Sequence, residues 1–196
     1  HVDFLQTAAA RQQIVEAVRR AAASLAPHPQ IAAFLVGNEI EKTLVRWMGP
    51  AEVRDFLEQL IEVGHLAAPG VPFSYATYPS TEYLIPRNAD FVSVNVYLEQ
   101  RPAWEAYLRR LQNLAGNRPL VISEFGLDTL QHGDAAQAEM MTSQRSSLLE
   151  TGAAGGVWFS YTDEWWRGGQ AVTGWQFGIV TANRSAKAAC EIAPEL

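Results

Sequence analysis

A single cysteine, Cys190, stands in this chain of 196 residues. That excludes an internal disulfide framework and a cysteine zinc cluster, and Cys190 itself reads as a small side chain on the last helix. Histidine is scarce: His1, His28, His65 and His132 are scattered without ligand spacing. Positive charge falls short of negative, with 15 Lys and Arg against 21 Asp and Glu for a net −6. No basic stripe or cluster appears, so no nucleic-acid partner is expected. No apolar run approaches the ~20 residues of a membrane span. A glycine-rich phosphate loop is missing, as are internal repeats, low-complexity tracts and linkers. Asp163 and Glu164 are adjacent acids that point in different directions with no third ligand, so neither a metal nor a cofactor is expected.

What is present is a large apolar fraction, 48% of residues, enough for the core of one domain over residues 1–196. Aromatics stand out. The six Trp, six Tyr and eight Phe include a late cluster of Trp158, Phe159, Tyr161, Trp165, Trp166, Trp175 and Phe177. Such faces stack on sugar rings, although most Trp and Phe side chains serve as core.

Periodicity assigns helices to residues 8–26, 50–67, about 102–115, about 134–151 and 184–193, with a short helical turn near 80–86. Strands are expected over 31–37, 71–76, 90–97, 119–124 and 155–161, and a short excursion over 174–180. The alternation of strand and helix indicates an α/β fold with a parallel sheet.

Two of these strands carry the chemistry. Phe34-Leu-Val-Gly-Asn-Glu39 and Leu120-Val-Ile-Ser-Glu-Phe-Gly126 are apolar, β-branched runs that lead to a glutamate. Strands of this type are buried on both faces, and a carboxylate at the C-terminal lip projects into the mouth of the sheet. Two such carboxylates are the minimum equipment for breaking or transferring a glycosidic bond with retention. A (β/α)8 barrel of ~250 residues spends ~31 residues on each unit. Glu124 lies 85 residues after Glu39, close to three units, and Trp158 follows one unit later. The expected architecture is therefore a (β/α)8 TIM barrel of which this chain holds strands four to eight. The start at His1 instead of Met, with one helix before the first strand, fits strands one to three lying elsewhere.

Asn38-Glu39 after an apolar strand, Ser123-Glu124-Phe125-Gly126 three units later, and Trp158 on the last strand resemble the large clan of retaining (β/α)8 glycoside hydrolases. The tail Gly155-Gly-Val-Trp-Phe-Ser-Tyr-Thr-Asp-Glu-Trp165, followed by Phe177-Gly-Ile-Val-Thr-Ala-Asn-Arg-Ser-Ala-Lys187, is similar to the C-terminal barrel of glycoside hydrolase family 2. A closer resemblance is to family 2-like barrel domains fused to bacterial family 2 glycosyltransferases. They share His1-Val-Asp-Phe-Leu5, Gly37-Asn-Glu-Ile40, Tyr78-Pro-Ser-Thr-Glu-Tyr83, Asn95-Val-Tyr-Leu-Glu99, Leu111-Gln-Asn-Leu-Ala115 and Thr162-Asp-Glu-Trp165.

The resemblance implies Glu39 as acid/base and Glu124 as nucleophile. It implies Asn38 as the partner of the sugar 2-hydroxyl, Tyr97 as a hydrogen-bond donor to the nucleophile, and Trp158 as the platform under the sugar. Tyr75, Tyr78, Asn95, Glu99, Asp163, Glu164 and Trp165 lie at or beyond strand ends, where they set subsites; Tyr78, Asn95 and Glu164 are counted with the substrate-binding residues. The implied substrate is an oligosaccharide or polysaccharide with β linkages. The implied context is bacterial, at the cytoplasmic face of the membrane or in the periplasm, with a membrane glycosyltransferase as fusion or working partner. A barrel lacking strands leaves edges open, and a homodimer is one way to cover them. Three readings follow: a retaining β-glycosidase, a transglycosylase using the same residues, and a non-catalytic glycan-binding domain. The last has no need of either Glu39 or Glu124.

Overall fold

The computed structural model describes Leu5 and residues 7–192, so the His1–Leu5 motif lies almost wholly outside the described residues. The chain divides into two compact units: the first runs to Val94 and includes Asn117–Pro119, and the second holds Asn95–Gly116 and everything from Leu120.

The first unit contains helices α1 (Ala8–Leu25), α2 (Lys42–Met48) and α3 (Pro50–Ala67) with strands β1 (Phe34–Asn38), β2 (Phe73–Thr77) and β3 (Val92–Asn95), whose last residue belongs to the second unit. β1 pairs with β2, and β2 with β3, both in parallel. Parallel neighbours need a crossover, which α2 and α3 supply between β1 and β2. α3 starts with Pro50 in its first turn, where the missing N–H costs nothing. Its buried residues Val53, Phe56, Leu57, Leu60, Ile61 and Gly64 recur every three or four positions and form one apolar face. Gly64 is where α3 comes closest to β2: a β-carbon there would sit 2.3 Å from the Phe73 ring. Every residue of β2 is buried, as expected of a strand covered on both faces. In β1, Phe34 and Val36 pack towards the helices, while Leu35 between them is 44% exposed.

The second unit contains α4 (Arg101–Ala115), β4 (Leu120–Phe125), α5 (Thr129–His132), α6 (Asp134–Glu150), β5 (Gly155–Trp158), a hairpin of β6 (Trp166–Arg167) and β7 (Gln170–Ala171), and α7 (Ala188–Ile192). β4 and β5 are parallel. Within the first unit the strand order is β1-β2-β3, and within the second β4 neighbours β5. Within the first unit Val92 N–H donates to Pro119 O at 2.8 Å, and within the second Val96 N–H donates to Glu124 O at 2.8 Å. The core of this unit is aromatic: Trp104 from α4, Phe125 from β4 and Trp158 from β5 stand ring to ring at 5.6 and 5.3 Å.

The expected elements are present with ends moved by a few residues. The closing helix is shorter than its 184–193 window, since Arg184 and Lys187 are spent on side-chain bonds before the helix begins. Two short helices and one hairpin were not expected. α2 and α5 are too short to show a period, and both are capped by acids: Thr43 N–H donates to Glu41, and Leu130 N–H donates to Asp128. The hairpin turns on Gly168 and Gly169, both at positive φ, as a two-residue turn demands. The stretch 174–180 forms no strand; Val180 makes single bridges to Thr162 and Ala186.

Candidate active site

In the first unit, Glu39 follows the last residue of β1 with a φ of +46°, a conformation uncommon for a residue with a side chain. Its N–H donates to Ala76 O at 3.0 Å. Tyrosines near the end of β2 take the next amides: Ile40 N–H donates to the Tyr75 hydroxyl at 2.8 Å, and Lys42 N–H to the Tyr78 hydroxyl at 3.0 Å. Tyr75 is almost fully buried. Burial pushes its hydroxyl up to about 12, and the charges of Tyr78 and Glu39 add to this. Two residues along, Glu41 is committed to capping α2; the hydroxyl and amide of Thr43 hold its carboxyl below the ordinary carboxylate range. Asn38, at the end of β1, is exposed and Glu39 half-buried.

In the second unit, Glu124 is the penultimate residue of β4 and half-buried. The Tyr97 hydroxyl donates to its Oε2 at 2.9 Å. A bond to an ionised carboxylate favours the charged form and fixes which way it faces. Tyr97 also stands edge-on to Phe177 and Phe159, with ring centroids 5.6 and 6.3 Å away. Beyond them Phe159 stacks on Trp175 at 5.6 Å and meets Trp165 edge-on at 5.2 Å. The result is an open aromatic cleft of about 450 Å³ lined by Tyr97, Phe159, Trp175, Phe177, Asp128 and Gln131.

The loops behind the cleft are tied to the helix layer. Gln137 of α6, fully buried, donates to Leu127 O at 2.9 Å and to Phe177 O at 3.3 Å, and Gln144 donates to Leu98 O at 3.0 Å. Gly126 lets β4 and the end of β5 close together, since a β-carbon there would meet Phe159 O at 2.2 Å. Further along, Lys187 and Asp163 form an ion pair at 2.9 Å with both side chains nearly sealed from solvent. Lys187 also donates to Thr129 Oγ1, and Asp163 accepts from Gly178 N–H. Every strong partner of this pair is therefore satisfied inside the protein, which is what a buried pair requires.

Several expected substrate-binding residues make contacts within the protein. Trp158 packs on Phe125 and against the α6–α7 cluster of Ala138, Met141 and Ala189. The reason is strand alternation: a β-carbon on Gly156 would meet Leu148 and Phe125 at under 3 Å, so residues 156 and 158 face the helices. The ring beside Tyr97 is that of Phe159, one position on. Phe159 was visible in the aromatic cluster, but no local signal separated it from Trp158, because Gly155 and Gly156 carry no side chain to mark a face. Asn95 is buried, and its Oδ1 accepts from Ser123 Oγ at 2.7 Å, bracing the strand that carries Glu124. Glu164 is exposed and bonded to Arg184 at 2.6 Å, which holds its carboxyl low. Tyr78 spends its oxygen on the backbone of Lys42. Among the described residues no cluster of three His, Cys, Asp or Glu side chains has the arrangement to hold a metal ion. No described helix is long and apolar enough to cross a membrane.

No family model matches the chain, and no curated protein matches it in sequence. Solved structures do match in shape. GH5_18 from Streptomyces cattleya, in complex with GlcNAc, gives a TM-score of 0.82 at 18% identity over 100% of this chain and 55% of that one. Bifidobacterium dentium β-glucuronidase, complexed with coumarin-3-O-glucuronide, gives 0.78 at 20% identity over 97% of this chain and 34% of its own. The GH2 β-galacturonidase of Eisenbergiella tayi, bound to galacturonate, gives 0.71 at 17% identity over 97% and 37%. The chain thus spans between a third and just over half of these glycoside hydrolases. Its strands and helices have the fold of a fragment of their TIM barrels.

Proposed function

We propose that this chain belongs to a retaining β-glycosidase, with Glu39 as acid/base and Glu124 as nucleophile. The observation that carries the proposal is the Tyr97 hydroxyl on Glu124 Oε2 at the rim of an aromatic cleft. It is an arrangement that holds a carboxylate ionised and oriented where a sugar ring can lie against aromatic faces. Phe159 and Trp175, rather than Trp158, are the platforms in this reading. Asn38, exposed at the end of β1, takes the 2-hydroxyl of the sugar.

The reaction runs in two displacements. Glu124 attacks the anomeric carbon while Glu39 gives its proton to the departing glycosidic oxygen. Glu39, now ionised, takes a proton from water as that water attacks the anomeric carbon and releases Glu124. A sugar hydroxyl in place of water makes the same enzyme a transglycosylase. Retention requires the two carboxyls ~5–5.5 Å apart in the working enzyme. That residues 1–196 form one such catalytic domain, and that it works with a membrane glycosyltransferase on a β-linked glycan, are parts of the same proposal.

Covalent trapping tests it. A panel of 2-deoxy-2-fluoro β-glycosides is expected to add one sugar to the peptide carrying Glu124, seen by mass spectrometry. Glu124→Gln is expected to abolish the adduct, and Glu39→Ala to leave slow labelling by reagents with activated leaving groups. Absence of any adduct on the well-folded protein would favour the glycan-binding reading.

A further inference from the structure

We infer that Tyr75 and Tyr78 act as a clamp that positions Glu39, by taking the backbone N–H groups of Ile40 and Lys42 on their hydroxyl oxygens. The inference rests on Glu39 being the acid/base.

The first support is the number and order of the tethers. Glu39, Ile40 and Lys42 donate to Ala76 O, the Tyr75 hydroxyl and the Tyr78 hydroxyl at 3.0, 2.8 and 3.0 Å. All three acceptors belong to the C-terminal end of β2 or the residue just after it. The turn that carries the carboxyl is therefore pinned at three amides by one neighbouring strand. The second support is backbone strain. A non-glycine residue in the left-handed region costs on the order of 1 kcal/mol and persists only where its surroundings over-determine it. At Glu39 these three bonds are part of those surroundings.

The third support is how firmly Tyr75 itself is held. It is 1% exposed and packs with Val45, Val53, Leu57 and Leu84, side chains from α2, α3 and the turn after β2. Its ring lies 3.3 Å from where a β-carbon on Gly37 would be, so a side chain at 37 pushes directly on the ring that holds residue 40. A hydroxyl on a locked ring fixes the amide it accepts more closely than one on a mobile side chain. A core role alone needs the Tyr75 ring but not its oxygen, and Phe fills the same volume. The hydroxyl is accounted for by the turn.

Tyr75→Phe and Tyr78→Phe, each in the full protein, separate the two roles. In the first arm, hydrogen exchange is followed at single amides. Losing one bond is expected to speed exchange at Ile40 in Tyr75→Phe, and at Lys42 in Tyr78→Phe, by roughly 10-fold. In the second arm, kcat/KM is compared for a methyl β-glycoside, whose leaving group needs a proton, and a dinitrophenyl β-glycoside, whose leaving group does not. A misaimed acid is expected to cost the methyl substrate on the order of 10- to 100-fold in Tyr75→Phe. The dinitrophenyl substrate is expected to be unchanged. Tyr78→Phe, at a half-buried site that does not threaten folding, is expected to shift both readouts the same way by less.

Unchanged exchange at Ile40 and Lys42 overturns the clamp. Faster exchange with equal losses on both substrates leaves a structural brace and overturns the positioning role. A wild-type protein that cleaves neither substrate and takes no fluorosugar overturns the glycosidase reading, and with it the catalytic half of this inference. The exchange arm still decides whether the tyrosines hold the turn.

Discussion

In the first unit the groups around Glu39 hold its main chain: Ala76 O, Tyr75 and Tyr78 all take backbone amides, and the residue itself sits at positive φ. In the second unit Glu124 lies within β4, where the register against β5 shifts between Ile122 and Phe125, and Tyr97 holds the carboxylate oxygen directly. Under the roles proposed above, the two designs suit different duties. A nucleophile has to stay ionised, and a hydroxyl donated to the carboxylate favours that form. An acid/base has to change its proton twice in each cycle, and a bond fixed to one charge state hinders one of those changes. Bonds to the Ile40 and Lys42 amides place the turn that carries Glu39.

Five measurements break or sharpen this contrast. The largest effect is expected from Glu124→Gln, which removes the proposed nucleophile and lowers kcat/KM on the order of 10⁴-fold or more for every substrate. Steady-state kinetics on activated and unactivated glycosides checks it. Glu39→Gln is expected to cost about 10²- to 10⁴-fold for poor leaving groups and little for activated ones; equal losses on both would erase the difference between the two glutamates. Lys187→Met strands the Asp163 charge in a sealed site and is expected to cost about 3–5 kcal/mol in urea unfolding. That loss belongs to the second unit's scaffold, and a near-neutral result would show that the pair is solvated.

The fourth measurement is alkaline unfolding, read on Tyr75. Below about pH 10 its phenol is protonated in both folded and unfolded chains, so the stability it supports is fully present. Between about 10 and 12 the unfolded chain loses the proton and the folded one keeps it. Stability is therefore expected to fall across that window by about 2–3 kcal/mol, and Tyr75→Phe to flatten the fall. The smallest effect is expected from Tyr97→Phe. Loss of one bond to a charged group corresponds to roughly 10- to 100-fold in kcat, with KM little changed.

Much of the frame was legible in the chain. The apolar spacing in Val53, Phe56, Leu57, Leu60 and Ile61 specified α3 to its ends, since a long amphipathic period with Pro at its start admits few alternatives. The glutamate-ended strands were legible because an apolar, β-branched run makes a carboxylate at its lip conspicuous, although β1 is an end strand with Leu35 exposed and is not covered on both faces. The surroundings of the glutamates were less legible. Trp158 and Phe159 are neighbours of like chemistry, and which of them faces the helices depends on where β5 begins, at glycines without a side chain to mark a face. Asn95 and Ser123 lie 28 residues apart, and their bond exists because the fold of the second unit brings them together.

The sequence by itself determined the alternation of strands and helices, the two carboxylates at strand ends and the wealth of aromatics near the C-terminus, because periodicity, burial pattern and composition are local properties. Only the tertiary structure decided which hydroxyl meets which amide, Tyr75 on Ile40 and Tyr78 on Lys42, whereas the Tyr97 bond to Glu124 was already implied by the family resemblance. Each of these bonds joins residues about 27 to 36 positions apart, a separation at which packing, and not local preference, sets the partner.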